Sequence, residues 1–376
     1  MAKKTPKRSP VRKPKRQAKK PGRKKKGTAI CKDPLKEYRQ NLEKDGLVEV
    51  LTLADDDCLA NVRLSISTQS LALDRLLNGK GIPTGRVTEI YGENHIGKST
   101  LIDHCFSEVQ RIGGVAVLAE PEGAREVGYS QRIGVNPERL QYLSFPREEF
   151  HLENILQTFY KTIDWWRTNS PDTPVLIGLD ALGGAATREE MTNQLSKSNQ
   201  PGAAAKVLRE ASRQIPARLG NTKIAVVIAN HEYESIKMTG RVGKKKETYG
   251  GGGLRHLASI RLSLFRTPDS TGSVWVKQSD GAVIGQVVGA RLTKNRLGVP
   301  WGQTKFALIS GMGVNNVWTV YEKFKEAKLL TVSGGWAGIN LDGDIIKFQG
   351  WRGLQLKCEE DPNLWAKLVS VYQGLP

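Results

Sequence analysis

Eight residues of this chain, Gly92-Glu93-Asn94-His95-Ile96-Gly97-Lys98-Ser99, fit the spacing G-x-x-x-x-G-K-[ST] at every defined position. In that spacing the backbone N–H groups of a glycine-rich loop wrap a triphosphate, and the N-terminus of a following helix adds positive partial charge. Lys98 then reaches the β- and γ-phosphates, the Ser99 hydroxyl meets Mg²⁺, and Thr100 follows at the loop's edge. Three more groups suit the same chemistry. Glu120, with Glu122 close behind, can take a proton from an attacking water. Asp180 suits the acidic position held near Mg²⁺, directly or through water. His231, after Asn230, stands where a side chain could sense the terminal phosphate.

These groups need elements to position them. Val87 to Tyr91 alternates in the manner of a strand, and Thr100 to Phe106 can run on as a helix, so the loop has the strand–loop–helix context it requires. Val115–Leu118, Val175–Leu179 and Ile224–Ile228 are near-continuous apolar runs. Strands covered on both faces read this way, which predicts a parallel sheet sandwiched by helices. Glu120, Asp180 and Asn230-His231 follow the carboxyl ends of those strands, where open sheets bind ligands. Ile260–Leu264, Val287–Leu292 and Lys305–Ile309 read as later strands of the same sheet. Ahead of this core, Pro34–Lys44 reads as a helix stopped by Asp45-Gly46, and Val48–Leu53 as a strand. Beyond it, residues 316–376 mix short helices and strands, with Trp318, Trp336, Trp351 and Trp365 expected to form a small core of their own. There is no internal repeat.

Charge is concentrated at one end. The formal net charge is +19, yet the first 26 residues carry 14 Lys or Arg and no acid, leaving +5 for the rest. With Pro6, Pro10, Pro14 and Pro21 and few apolar side chains, this tail cannot offset the entropy of ordering and is predicted to be disordered. Polyphosphate partners suit it, through counterion release; sorting or solubility is the alternative. Cys31, Cys58, Cys105 and Cys358 are scattered, with no C-x-x-C pair and no zinc spacing with the histidines, so reduced thiols and a cytoplasmic setting are expected. No apolar stretch approaches ~18 residues, so no membrane span is expected.

Two segments read as more than connections. Thr187–Pro201 is polar, and His231–Gly253 is long, with Arg241, Lys244, Lys245 and Lys246, then Tyr249 and Gly250, Gly251, Gly252 and Gly253. Long loops in compact domains are usually functional. Lysine, glycine backbone and an aromatic together suit a nucleic-acid strand.

The segments Ser67–Asp74 and Gly81–Gly92 resemble the entry to the ATPase core of the RecA recombinase family. The resemblance continues through Ala119-Glu120, Leu179-Asp180, Gly250-Gly251, Leu254, Arg261-Leu262 and Thr293-Lys294-Asn295-Arg296, then Gly334-Gly335-Trp336 and Asn363-Leu364-Trp365. It covers residues 34 to 376. It implies an α/β fold: a P-loop RecA-like ATPase core with a mostly parallel central sheet, a small N-terminal helix–strand element and a small α+β C-terminal domain. The expected divisions are a tail at 1–30, an oligomerisation element at 31–65, the core at 66–315 and the small domain at 316–376.

The resemblance also implies roles. Glu120 becomes the catalytic glutamate, Asp180 the acidic Mg²⁺ partner, and Tyr129 the aromatic that stacks on adenine. Thr187–Pro201 and His231–Gly253 become the two DNA-binding loops, with Lys206 and Arg213 as basic DNA contacts. Lys294 and Arg296 fall where members reach a neighbour's ATP. The implied activity is an ATP- and Mg²⁺-dependent, DNA-dependent ATPase. It forms helical filaments on single-stranded DNA and pairs it with homologous double-stranded DNA in a bacterial or phage-infected cytoplasm. A hexameric helicase on the same core, or a mediator that binds ATP and hardly hydrolyses it, are the alternatives. This chain departs from the family at His231 (usually glutamine), Arg296 (usually lysine) and His256 (usually apolar aromatic). Pro121 and a two-residue insertion before Tyr129 are further departures.

Overall fold

The computed structural model describes residues 34–375, apart from 45, 56–57, 193–201, 236–244, 279–280 and 342. The predicted basic tail and Cys31 lie outside the described residues. The chain divides into two compact units, Met1–Thr52 and Leu53–Pro376. In the first, a helix forms at Pro34–Glu43, and the Val50 N–H donates to Glu43 Oε1 at 2.9 Å. The predicted strand at Val48–Leu53 does not form; those residues have no ladder partner among the described residues. An alternating run becomes a strand only when a second strand takes up its hydrogen bonds, and nothing in the pattern says where that second strand lies.

The second unit is built on one sheet of eleven strands. Six are mutually parallel, in the spatial order Leu140–Tyr142, Val115–Ala119, Val175–Leu179, Ile224–Ser235, Val87–Gly92, Ile260–Arg266. The antiparallel strands Val283–Asn295, Gln303–Ile309 and Gly313–Asn315 extend that edge. Successive side chains point to opposite faces. Ala225, Val227 and Ala229 enter one buried cluster with Ile102, Phe106 and Leu118, while Ile224, Val226 and Ile228 enter another with Phe159, Ile163 and Ile215. Helix Lys98–Arg111 covers the first face; Leu152–Asn169 and Ala203–Leu219 cover the second. The apolar runs are explained by this double covering, which leaves no solvent face for polar residues.

Three strands, Leu330–Ser333, Trp336–Leu341 and Asp344–Phe348, form a separate sheet. With the helices around it, this sheet encloses Val320, Phe324, Ile339, Phe348, Leu354 and Leu368. The expected tryptophan core is not found. Trp318 and Trp351 pack with Val287, Ala307 and Ile309 of the large sheet, Trp336 is half exposed, and Trp365 alone flanks the small core. Trp318 lies in the first turn of a helix that follows the Gly313–Asn315 strand directly, so it turns back onto the sheet the chain is leaving. Among the described residues no helix is long and apolar enough to cross a membrane.

Candidate nucleotide-binding site

The Val87–Gly92 strand leads through the glycine-rich loop into helix Lys98–Arg111. Gly97 caps that helix with φ +97°, a conformation that L side chains rarely adopt, so the backbone there requires glycine. Lys98 is buried and its ammonium donates to the carbonyls of Gly92 at 3.2 Å and Glu93 at 2.8 Å. Burial pushes its pKa down, and the charges of Asp180 and Glu122 oppose the shift. In the parallel register Gly92 lies beside His231, and Leu179 lies beside Ala119, so the polar strand ends gather at one rim.

A cavity of about 960 Å³ opens there, lined by Asn94, His95, Gly97, Lys98, Ser99, Thr100, Glu122, Tyr129, Asp180 and His231. The structure thus brings together most residues expected to hold a nucleotide. Ile96 is wholly buried beneath the loop, and Glu93 is exposed on its outside. Tyr129 hydroxyl and Thr100 Oγ1 lie 3.0 Å apart. The Ser99 hydroxyl and the Asp180 carboxylate, both on the cavity wall, are oxygen donors that fit Mg²⁺ bound beside a triphosphate.

The two glutamates after Ala119 part company. The Glu120 carboxylate is buried; it accepts from the Ala124 N–H at 2.9 Å and the Tyr142 hydroxyl at 3.2 Å. It faces a smaller cavity of about 300 Å³, which shares Ser99, Glu122, Tyr129 and Asp180 with the large one. Glu122 faces both, and its Oε1 lies 3.0 Å from His231 Nε2. The other ring nitrogen of His231, Nδ1, is buried without a hydrogen-bond partner among the described residues.

Asp103 and Arg125 were missed by sequence reasoning. Arg125 pairs with Asp103, and with Asp180 at 2.7 Å. The only available signal was the apolar run around Asp103, which marks a helix with no solvent face.

The described parts of the loop expected at His231–Gly253 are structured. The strand from Ile224 runs on to Ser235, Lys245–Thr248 returns antiparallel to it, and a helix starts at Gly251. Arg241 and Lys244 lie outside the described residues, as does most of the polar segment 187–201. Lys245 begins the returning strand. Lys246 is exposed and pairs with Glu232 at 3.1 Å and with Glu93 of the phosphate loop at 3.6 Å.

Gly250 has φ +79° and a Cβ there would lie 2.4 Å from Leu208 Cδ1; one at Gly253 would lie 2.6 Å from the Ala205 carbonyl. Those two glycines serve packing, while Gly251 is half-buried and Gly252 open. Lys206 and Arg213 are exposed on helix Ala203–Leu219, and Arg209 shares their face. The i, i+3, i+7 spacing could have revealed it.

Beneath this stem lies a buried polar chain. Asn230 Nδ2 donates to Glu89 Oε1 and to the Tyr249 carbonyl, each at 2.9 Å. Glu89 pairs with Arg261, whose Nη2 donates to Thr248 Oγ1 at 3.1 Å. Lys294 sits beside Arg261 in register, and Asn295 beside Ile260. That places Lys294 and Arg296 toward the amino ends of the parallel strands, away from the Lys98 cavity, which neither lines. Arg296 and His256 are exposed. Burial, and then the charges of Arg296 and Arg261, push the Lys294 ammonium down to about 8.

A family model described as the RecA N-terminal domain matches residues 33–315. Similar curated proteins include Protein RecA of Bartonella bacilliformis, 29% identical over 298 residues (79% of this chain, 76% of the relative). Protein RecA of Caulobacter sp. strain K31 is 30% identical over 276 residues (73% and 72%). Protein RecA of Azoarcus sp. strain BH72 is 30% identical over 298 residues (79% and 80%). The phosphate loop, the acidic strand ends and the sheet that carries them are those of a chain that belongs to the RecA family.

Proposed function

We propose that this protein is a DNA-dependent ATPase that polymerises on single-stranded DNA and promotes homologous pairing and strand exchange. The observation that carries the reading is the contact between Glu122 and His231 at the mouth of the phosphate loop. His231 belongs to the strand whose continuation forms the stem of the second loop. A group placed to meet the terminal phosphate is therefore one step from the segment placed to meet DNA. Lys98 and the loop amides hold the triphosphate, Tyr129 supports the base, and Ser99 with Asp180 hold the magnesium ion, which would neutralise phosphate charge. Glu122, not Glu120, takes the proton from water, because it faces the cavity that Lys98 faces.

Lys294 and Arg296 cannot serve their own subunit's loop, so they act on the ATP of the next one. The exposed Leu35, Tyr38 and Leu42 of the N-terminal helix give a second surface for that stacking. The test is electron microscopy of the protein with single-stranded DNA and a non-hydrolysable ATP analogue, together with ATP turnover with and without DNA. Open helical filaments and DNA-stimulated turnover are expected; closed rings would favour a helicase. Filaments with negligible turnover would favour the ATP-binding mediator, a reading supported by the ties of Asp180 to Arg125 and of Glu122 to His231.

Lys294 gives this assembly a pH dependence. Its free-subunit pKa of about 8 means that the ammonium is present below that pH and lost above it. Contact with a phosphate requires the charged form, so ATP-dependent assembly should weaken as pH rises past 8, by up to about tenfold per unit. Light scattering across pH 7 to 10 measures this, and Lys294→Met should assemble poorly with a flat profile. For the basic tail, deleting residues 2–26 should weaken DNA binding and flatten its salt dependence, read from affinities at several salt concentrations. An unchanged slope would assign the tail to sorting or solubility.

A further inference from the structure

The turn between Ala119 and helix Val127–Ile133 carries Arg125, and its side chain points inward. The guanidinium bridges two carboxylates. One is Asp103, on the helix that follows the phosphate loop; the other is Asp180, whose Oδ2 accepts from Nη2 at 2.7 Å. Ser130 Oγ donates to the remaining Asp103 oxygen at 2.9 Å. All three charged side chains are 10% exposed or less. Arg125 Nε is buried and has no hydrogen-bond partner among the described residues. The smaller cavity, about 300 Å³, lies against this group and connects it to Ser99, Glu120 and Glu122.

Two buried carboxylates side by side stay ionised together only with a cation between them; otherwise one takes up a proton. A guanidinium supplies one permanently, because it keeps its proton at any working pH. Here it does so on the aspartate proposed to help hold magnesium. One Asp180 oxygen is thereby committed to a cation that the chain itself provides.

We propose that Arg125 is a resident counter-cation that competes with the divalent metal for Asp180 and so sets the magnesium concentration at which nucleotide is held. Asp103 is the other half of the device, since it shares the guanidinium and loosens its grip on Asp180. This inference rests on the reading of Gly92–Ser99 as a nucleotide site. It makes Arg125 a positioning residue that acts through Asp180.

The test uses the full chain and a fluorescent ADP analogue, with binding followed while MgCl₂ is titrated. Arg125→Met frees Asp180 and is expected to lower the half-saturating magnesium concentration by roughly fivefold or more. Asp103→Asn leaves the guanidinium to Asp180 alone and is expected to move the midpoint the other way. Arg125→Lys, which keeps the charge without the fork, should fall between Arg125→Met and the parent. A purely structural role would weaken binding at every magnesium level and leave the midpoints in place, and that result overturns the proposal. So do shifts of both variants in one direction. If Arg125→Met does not fold, the shape-conserving Asp103→Asn decides alone: a raised midpoint supports the device and an unchanged one removes it. Failure of the parent protein to bind the analogue at saturating magnesium would instead overturn the nucleotide site itself, and this inference with it.

Discussion

Glu122→Gln is expected to lower DNA-stimulated ATP turnover by about 10²–10⁴-fold while nucleotide binding persists, the loss typical of a general base. Glu120→Gln should cost no more than about tenfold, the scale of weakening one charge-assisted hydrogen bond. The difference follows from what each carboxylate touches. Both Glu120 oxygens are occupied, by the Ala124 N–H and the Tyr142 hydroxyl, so its work is to shape the turn that presents Glu122. Glu122 lines the cavity with Lys98 and Ser99, and its charge is felt by the Lys98 ammonium. A glutamine there keeps the size and the bond to His231 but cannot take a proton. Steady-state turnover and analogue binding, measured on both variants, separate the roles. An inactive Glu120→Gln beside an active Glu122→Gln would return the base to Glu120.

The choice between Glu120 and Glu122 turns on geometry that local sequence does not carry. The phosphate loop was legible because strand, loop and helix are consecutive, so local pattern carries the whole geometry. The parallel sheet was legible because strands covered on both faces must be apolar throughout. Glu120 and Glu122, however, lie two residues apart beyond a strand end. Their orientations depend on how the turn to Val127 folds back, where the Tyr142 hydroxyl of the neighbouring strand donates to Glu120. Arg125 and Asp103 are 22 positions apart, and no short-range pattern links them. They become a site only because helix Lys98–Arg111 is buried nearly all round. Val48–Leu53 fails for a related reason: a strand needs a partner, and none lies among the described residues.

Arg261→Met is expected to destabilise the protein by about 3–5 kcal/mol, the cost of leaving a buried charge without its partner. The partner is Glu89, in the centre of the sheet and wholly buried. Arg261 is its one ion-pair partner among the described residues; Asn230 Nδ2 donates to its other oxygen at 2.9 Å. Methionine can fill the space over the Tyr91 ring, 4.6 Å from the guanidinium, so the loss is electrostatic more than steric. A fall in thermal midpoint of roughly 4–8 °C should follow. Adding Glu89→Gln should recover part of it, because a neutral amide can still meet Asn230 and leaves no charge in the core. Function should suffer even where the variant stays folded. Asn230 holds the Tyr249 carbonyl and Arg261 holds Thr248, so both ends of the chain tie the strand of the phosphate loop to the stem of the second loop. With Arg261 gone, the ratio of turnover with DNA to turnover without it should drop toward one, while DNA-independent turnover changes less. A variant that melts with the parent would mean that water already reaches Glu89. One that melts early yet keeps its DNA stimulation would mean that the signal runs through His231 and Glu122 alone.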